Sequence, residues 1–202
     1  MQRAIHSLPT AIVTGSWLVA VIVWCVMAFT AKKDIRSQTI DEREGYGAAF
    51  VASLVFTALP LRAPLGPDDR ALAWLFAGLV PESPTLQWAG ALTAVAGTAL
   101  ALWARFTLGR NWSARVAIKE DHELISTGPY RFIRHPIYTA IIMLILAVAL
   151  TNRAPLVLAG LALMIVSCWI KLRGEEEMMS EAFPEEYPAY MARTKRLVPW
   201  LV

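Results

Sequence analysis

Long apolar stretches alternate with short polar ones along this chain of 202 residues. A helix needs roughly 20 apolar residues to cross a bilayer core about 30 Å thick, and several of these stretches approach that length. The pattern therefore predicts five transmembrane helices. They lie at residues 8–31, 46–61, 86–106, 136–151 and 154–172.

The polar breaks between these stretches add detail to this architecture. Only "NRA" separates the fourth and fifth stretches, which predicts a tight antiparallel hairpin. The third contains Gly90 and Gly97, small residues that let helices approach closely. Residues 64–84 contain an apolar run that is too short to span and is flanked by prolines, which favours an interfacial or re-entrant segment.

Composition supports an all-α integral membrane protein. The chain is 56% hydrophobic and only 17% charged, and its mean hydropathy is +0.47. A net charge of +3 is no argument for a nucleic-acid partner and fits a basic rim beside anionic lipid.

Cys25 and Cys168 both fall in apolar runs, which predicts buried core residues rather than a disulfide or a nucleophile. No linker or repeat interrupts the chain, so we expect one domain over 1–202, with the first three spans in 1–106 and the polar chemistry in 107–202.

Charge asymmetry predicts the orientation in the membrane. With five spans, fifteen of the 19 lysines and arginines fall on one side and four on the other. The positive-inside rule then places the amino terminus outside and the carboxyl terminus in the cytoplasm of a multi-pass inner or cell-membrane protein. The polar segments 107–135 and 173–202 would meet on the cytoplasmic side, so this is where we expect a site.

The first polar cluster is "YRFIRHPIY" at residues 130–138. A residue before proline avoids helical geometry and proline suits the first helical turn, which predicts His135 as N-cap and Pro136 as the first helical residue. The exposed backbone N–H groups of that helix end, beside Arg134, would favour an anion. The same residues could instead form a basic, aromatic membrane anchor with Tyr138 at interfacial depth.

The second cluster is the acidic run Glu175–Glu177, which can also be read as a solvated helix end. An apolar stripe follows it at every fourth position, with Pro184 and Pro188 in between, so we expect two short helical pieces. Acids and bases facing each other suggest a ligand that carries both signs, such as S-adenosylmethionine. No Gly-rich phosphate loop follows a strand, which excludes a soluble nucleotide-binding fold. With three histidines and no Cys/His cluster, we do not expect a metal site.

These motifs resemble one known family. The run "HELISTGPYRFIRHPIY" (122–138), the pair "EE" (175–176), the later "EEYPAYMARTKRLVP" and the preceding "LGRNWSA" (108–114) are similar to the isoprenylcysteine carboxyl methyltransferase family. The similarity covers about 108–199 and is shared in part with phospholipid N-methyltransferases. The resemblance implies an integral-membrane methyltransferase that converts S-adenosylmethionine to S-adenosylhomocysteine.

The resemblance also implies site residues. The residues expected to contact the cofactor are His122, Leu124, Gly128, Tyr130, Arg134, His135, Pro136, Tyr138, Glu175, Glu176, Tyr187 and Tyr190. Glu175 and Glu176 would hold its polar end, and Tyr187 and Tyr190 would close over it.

The methyl acceptor is left open by the residues. A carboxylate on a lipophilic, prenylcysteine-like acceptor needs no base but needs a cation, for which Arg173 is the candidate, or else a flanking residue that snorkels to the interface. An amine such as that of phosphatidylethanolamine would need a base, either Glu176 or Tyr138. Two different classes of protein compete with a methyltransferase, namely an NADPH-dependent membrane sterol reductase and a non-enzymatic membrane scaffold. The sequence predicts no particular oligomeric state.

Overall fold

The computed structural model describes residues 2–28, 34–37, 40–58, 75, 78–109, 117–119 and 124–198. Within them the chain is mainly helical. In chain order the elements are α1 (Gln2–Ala28), β1 (Asp34–Ser37), α2 (Ile40–Ala58), α3 (Pro84–Leu108), β2 (Ala117–Lys119), a 3-10 turn (Gly128–Arg131), α4 (Pro136–Asn152), α5 (Pro155–Ala182) and α6 (Glu186–Arg193).

Helices α1 to α5 coincide with the five predicted apolar stretches, so a helix is confirmed at each. Three of them are long and apolar enough to cross a bilayer, namely α1 over Leu8–Met27, α3 and α5. The apolar parts of α2 and α4 are shorter. The chain is therefore a helical membrane protein, while the count of five crossings and their orientation stay predictions. Of the segment predicted at 64–84, residues 64–74, 76 and 77 lie outside the described residues.

The predicted hairpin of α4 and α5 is confirmed. Arg153 follows α4 with a φ of 62°, and its N–H donates to the carbonyl of Ala149. Ala154 is the N-cap of α5 and Pro155 is its first residue, where a missing N–H costs nothing. The left-handed Arg153 and the N-cap Ala154 thus reverse the chain within two residues, and Pro155 starts the next helix.

Glycines set the distances between the helices, as predicted for α3. A Cβ on Gly90 would lie 2.9 Å from the carbonyl oxygen of Ala147, and one on Gly97 would lie 3.2 Å from that of Ala140. Both carbonyls belong to α4. Gly160 of α5 likewise allows a close approach to the backbone of α2. Helix α4 is therefore packed closely against α3, and α5 is packed closely against α2.

A short two-stranded ribbon accompanies the helices of this all-α fold. β1 and β2 pair in antiparallel fashion, with Asp34 opposite Lys119 and Ser37 opposite Ala117. Part of the polar segment between the first two apolar stretches forms β1, and α2 begins at Ile40, before the predicted start at residue 46. Hydropathy cannot show this pairing because the two strands are some eighty residues apart. The ribbon joins the segments that follow α1 and α3, so both helices end at the same face.

The two cysteines differ in their surroundings. Cys168 is buried as predicted, but Cys25 is exposed on α1, so the prediction for Cys25 was wrong. The apolar run around Cys25 is an outer helix surface, since neighbours such as Ile22 and Val26 are also exposed. An apolar sequence in a membrane helix does not distinguish a surface that faces lipid from one that faces protein.

We expect Gly90→Ala to destabilise the helix bundle. The new Cβ would meet a backbone oxygen that cannot turn away, and overpacking of this kind costs about 1–3 kcal/mol. Gly15→Ala in α1 is the matched control, because nothing lies within 4 Å of its Cβ. Thermal unfolding in detergent should show a lower melting temperature for the Gly90 variant alone; equal behaviour of the two variants would contradict this account of α3–α4 packing.

Candidate functional site

The amino end of α4 is built as its sequence predicts. His135 is the N-cap, with φ −126° and ψ 58°, and Pro136 is the first helical residue. The preceding 3-10 turn ends at Arg131, so the chain enters α4 through a short extended segment. This geometry leaves the backbone N–H groups of residues 134 and 135 directed away from the helix, where another part of the chain can bind them.

Residues 194–197, which we call the C-terminal strap, bind this extended segment. The N–H of Arg134 donates to the carbonyl of Lys195 at 2.7 Å, and the N–H of His135 donates to the carbonyl of Arg196 at 3.0 Å. The Arg134 guanidinium also donates to the carbonyl of Thr194 at 2.6 Å. The predicted meeting of segments 107–135 and 173–202 is therefore confirmed.

Glu176 of α5 lies where the strap and α4 meet. One carboxylate oxygen, Oε1, accepts from Nε of Arg134 at 2.7 Å and lies 3.3 Å from Nε2 of His135. The other, Oε2, accepts from Nε and Nη2 of Arg196 at 2.8 and 2.7 Å. The Glu176 side chain is only 6% exposed. A buried carboxylate is stable only with such partners, so these three cationic groups determine its place.

Glu175 faces the other side of the same histidine. Its Oε2 lies 3.4 Å from Nδ1 of His135, and its Oε1 accepts a hydrogen bond from the Tyr138 hydroxyl at 2.5 Å. Its side chain is 22% exposed, more than that of Glu176. The ammonium of Lys171 lies 5.4 Å from the centre of the Tyr138 ring, which adds a further positive charge beside this carboxylate.

His135 lies between the two carboxylates with both ring nitrogens engaged. Burial by itself would lower the pKa of His135, but the hydrogen bonds to Glu175 and Glu176 outweigh it and raise the pKa above its ordinary value. An imidazolium donates from both nitrogens, which is the form that two flanking carboxylates favour. His135 therefore carries its proton to a higher pH than a free histidine does.

A group of buried tyrosines lies next to this charged cluster. The Tyr190 hydroxyl donates to the carbonyl of Tyr130 at 2.7 Å, and the rings of Tyr187 and Tyr190 are 5.8 Å apart. Burial raises the pKa of Tyr190 to about 12 and that of Tyr130 well above its ordinary value, so both phenols are neutral. The Tyr130 hydroxyl is buried without a hydrogen-bond partner in the described part of the chain.

The glycine at position 128 of the motif is required by close contact with α3. Its φ is 57°, and a Cβ would lie 2.7 Å from Oγ1 of Thr107 and 3.2 Å from Nε1 of Trp103. Both neighbours belong to α3, so this glycine lets the 3-10 turn rest on the end of that helix. Leu124 is half-buried at the start of the same segment, while His122 lies outside the described residues.

Arg173 is the predicted site residue that the structure places apart from the cluster. It is exposed, and its guanidinium lies 5.6 Å from the centre of the Trp169 ring. Arg196 approaches the same ring at 5.2 Å. A role of Arg173 towards an acceptor therefore stays a prediction.

Sequence reasoning missed Arg196. It lies in the quoted stretch "ARTKRLVP", but so do Arg193 and Lys195, and spacing alone does not show which of the three reaches Glu176. The pairing depends on how the strap lies against residues 133–135, which is a tertiary contact. The predicted break at Pro184 is confirmed, since α5 ends at Ala182 and α6 begins at Glu186. The first predicted piece is not separate, because α5 continues past residue 172, and Pro188 lies inside α6 without interrupting it.

The structure thus defines a helical membrane protein with a buried charged cluster at one end of its bundle. Residues 90–181, from α3 to the end of α5, match the Isoprenylcysteine carboxyl methyltransferase (ICMT) family. This match confirms the family resemblance found in the motifs over the segment that it covers. The match begins earlier than the resemblance had indicated, and α6 and the strap lie beyond it.

Three relatives are similar over about half of this chain. They are the uncharacterized protein YpbQ of Bacillus subtilis (25% identical over 51% of this chain), the cobalt-zinc-cadmium resistance protein CzcN of Cupriavidus metallidurans (32% over 47%) and the nickel-cobalt-cadmium resistance protein NccN of Alcaligenes xylosoxydans xylosoxydans (32% over 47%). The matched region spans 62%, 44% and 45% of their respective lengths, which is less than two thirds of each.

The charge on His135 leads to a pH-dependent stability. A pKa raised on folding above the ordinary 6.5 gives stabilisation that is fully present below pH 6.5 and is lost as pH rises through the folded-state pKa. We expect the difference in melting temperature between wild type and His135→Gln to be largest near pH ~6 and to shrink towards pH ~9. A difference that is constant or grows over this range would show that the histidine is not protonated in the folded protein.

Gly128→Ala should destabilise the site through contact with α3. Overpacking against Thr107 costs about 1–3 kcal/mol, and the positive φ adds strain of about 1–2 kcal/mol. Because Thr107→Ala removes the nearest contacting atoms, Gly128→Ala should cost about 1 kcal/mol less in that background. A double-mutant cycle of thermal unfolding measures this coupling, and strictly additive effects would rule out the contact as the cause.

Proposed function

We propose that this protein is an integral-membrane, S-adenosylmethionine-dependent methyltransferase that methylates a carboxylate on a lipophilic, prenylcysteine-like acceptor. The observation that carries the proposal is the juxtaposition of Arg134 and His135 with Glu175 and Glu176 at the end of apolar helices. The family match supports the reaction type. The acceptor, the cofactor and the residue roles below are parts of the proposal.

The charged and hydrogen-bonding groups of the site fit this cofactor. S-adenosylmethionine carries a carboxylate, an ammonium and a sulfonium, together with hydroxyl and adenine groups that form hydrogen bonds. The site offers both signs of charge, a partly exposed carboxylate on Glu175 and a buried Tyr130 hydroxyl without a partner in the described part of the chain. The residues that would hold the cofactor are Leu124, Gly128, Tyr130, Arg134, His135, Pro136, Tyr138, Glu175, Glu176, Tyr187 and Tyr190, with His122 added from outside the described residues.

When bound, the cofactor supplies an electrophilic methyl group. The chain's own contribution is then to align the acceptor and to exclude water, which together can provide several kcal/mol of the rate enhancement. A carboxylate acceptor is already ionised at neutral pH, so it needs a cation rather than a base. Arg173 is the residue we propose for this role, since it is an exposed cation just after the apolar part of α5. The acceptor's lipid tail would enter sideways between the helices from the bilayer.

An amine acceptor is the second candidate, and one contact favours it. The Tyr138 hydroxyl donates to Glu175, so Tyr138 could pass its own proton to that carboxylate while its oxygen takes one from an ammonium such as that of phosphatidylethanolamine. Glu176, the other predicted base, has both oxygens engaged with cationic groups. Of the two predicted bases, Tyr138 is therefore the better placed.

The orientation of the site follows from charge. With five spans, fifteen of the 19 lysines and arginines fall on the side of the cluster, which we propose is the cytoplasmic side, with the amino terminus outside. A cytoplasmic site has access to S-adenosylmethionine and to acceptors in the inner leaflet.

Calorimetric binding to detergent-purified protein tests the cofactor. We expect S-adenosylmethionine and S-adenosylhomocysteine to bind wild type, and His135→Ala and Glu175→Gln to weaken this binding by about tenfold or more, which is ~1.4 kcal/mol. Glu177→Gln is the matched control, because Glu177 is the exposed neighbour in the same acidic run. Binding of NADPH alone would instead identify a reductase, and binding of none of the three would overturn the proposal.

A transfer assay with labelled methyl groups decides the acceptor. A prenylcysteine analogue with a free carboxylate and phosphatidylethanolamine are offered in the same detergent. If the acceptor is a carboxylate, the label appears as a base-labile methyl ester on the prenylcysteine analogue. Label on phosphatidylethanolamine would instead establish an amine acceptor. A water-soluble acceptor methylated just as fast as the lipophilic one would refute entry from the bilayer.

A further inference from the structure

Glu175 and Glu176 are neighbours in sequence but differ in what they can still bind. A carboxylate offers about four lone-pair sites, and on Glu176 these are used by Arg134, His135 and both donors of Arg196. Glu175 has only Tyr138 and His135 as described hydrogen-bonding or ion-pair partners, and its side chain is the more exposed of the two. Acceptor capacity towards a ligand therefore remains on Glu175.

Arg196 is the group that completes Glu176. It binds Oε2 through two donors, its ring contact with Trp169 orients the guanidinium, and its backbone carbonyl accepts from the N–H of His135. Without Arg196, Oε2 of Glu176 would be a second available acceptor beside His135.

We propose that Arg196 is a positioning residue that keeps Glu176 engaged, so that Glu175, held by His135 and Tyr138, is the carboxylate that binds the cationic group of the ligand. That the ligand is S-adenosylmethionine rests on the proposed function. The division of roles between the two carboxylates rests only on the contacts within the chain.

Titration of His135 in the ligand-free protein tests this division. Glu175 and Glu176 face its ring from α5 and Tyr138 faces it from α4, while Arg134 and Arg196 act on it through Glu176. Arg196→Gln removes a positive charge and makes Oε2 of Glu176 available to the ring, and both changes raise the pKa of His135. Imidazole ¹⁵N resonances report it directly, and His135→Gln assigns the signal among the three histidines.

The matched control is Lys195→Gln. Lys195 lies in the same strap and carries the same charge, but its side chain is exposed and makes no described contact with Glu176. We expect an upward shift for Arg196→Gln, a smaller one for Arg196→Lys and none for Lys195→Gln. An unchanged titration in a folded Arg196→Gln protein, or equal shifts in both glutamine variants, overturns the proposal. If Arg196→Gln does not fold, the test uses Arg196→Lys instead. A His135 titration in that variant identical to the wild-type titration would overturn the proposal.

Binding of S-adenosylhomocysteine gives the functional readout. Without Arg196, Oε2 of Glu176 competes with Glu175 for His135, so we expect about tenfold weaker binding for Arg196→Gln, the lower end of the loss seen when a supporting partner of a metal-binding residue is removed, and no change for Lys195→Gln. If wild type binds no adenosyl compound, the proposed function fails while the titration still decides the role of Arg196. If wild type binds and Arg196→Gln binds equally well, the proposed function stands and this inference fails.

Discussion

The buried carboxylate of Glu176 is the centre on which the rest of this structure depends. It lies just after the apolar part of α5 with 6% of its side chain exposed, and an unpaired charge there would cost several kcal/mol. Arg134, His135 and Arg196 offset that cost, and each comes from a different kind of element: the extended segment, the N-cap of α4 and the C-terminal strap. Pairing this one charge therefore requires three separate parts of the chain to meet at one point.

The geometry of α5 explains why one histidine can contact two carboxylates. The helix continues without a break past its apolar part, so Glu175 and Glu176 are held on a rigid scaffold. Consecutive residues of a helix point about 100° apart, so neighbouring side chains diverge. The His135 ring fits between them, with Nδ1 towards Glu175 and Nε2 towards Glu176. Neighbours in sequence thus gain different environments, one closed by arginines and one partly open.

A second buried cation supports the same face of the bundle. Arg105 of α3 is fully buried and donates to the carbonyls of Gly109 and Met27, at 2.6 and 2.7 Å. It thereby satisfies backbone oxygens at the ends of α3 and α1, which have no partners within their own helices. Gly128 rests on the same end of α3. The charged cluster is thus built on helix ends that are fixed to each other, which suits a site that must hold a ligand in one position.

Local patterns in the sequence determined the elements of this protein. Apolar runs of the right length predicted α1 to α5, Pro136 predicted where α4 begins, Pro184 predicted the break between α5 and α6, and Gly90 and Gly97 predicted close packing. Each of these effects acts over a few residues. The motifs also pointed to the candidate site, because they kept the order and spacing of a known family.

The tertiary structure alone decided which charges pair, which apolar faces are covered and which loops form a ribbon. Arg196 and Glu176 are twenty residues apart in sequence, and Arg134 and Glu176 are 42 apart. The strands β1 and β2 pair although α2 and α3 lie between them in sequence. Cys25 faces outward because of the rotation of α1 against its neighbours, which hydropathy does not contain. Pairing energies depend on distance and burial in space, and those are fixed only once the helices have packed.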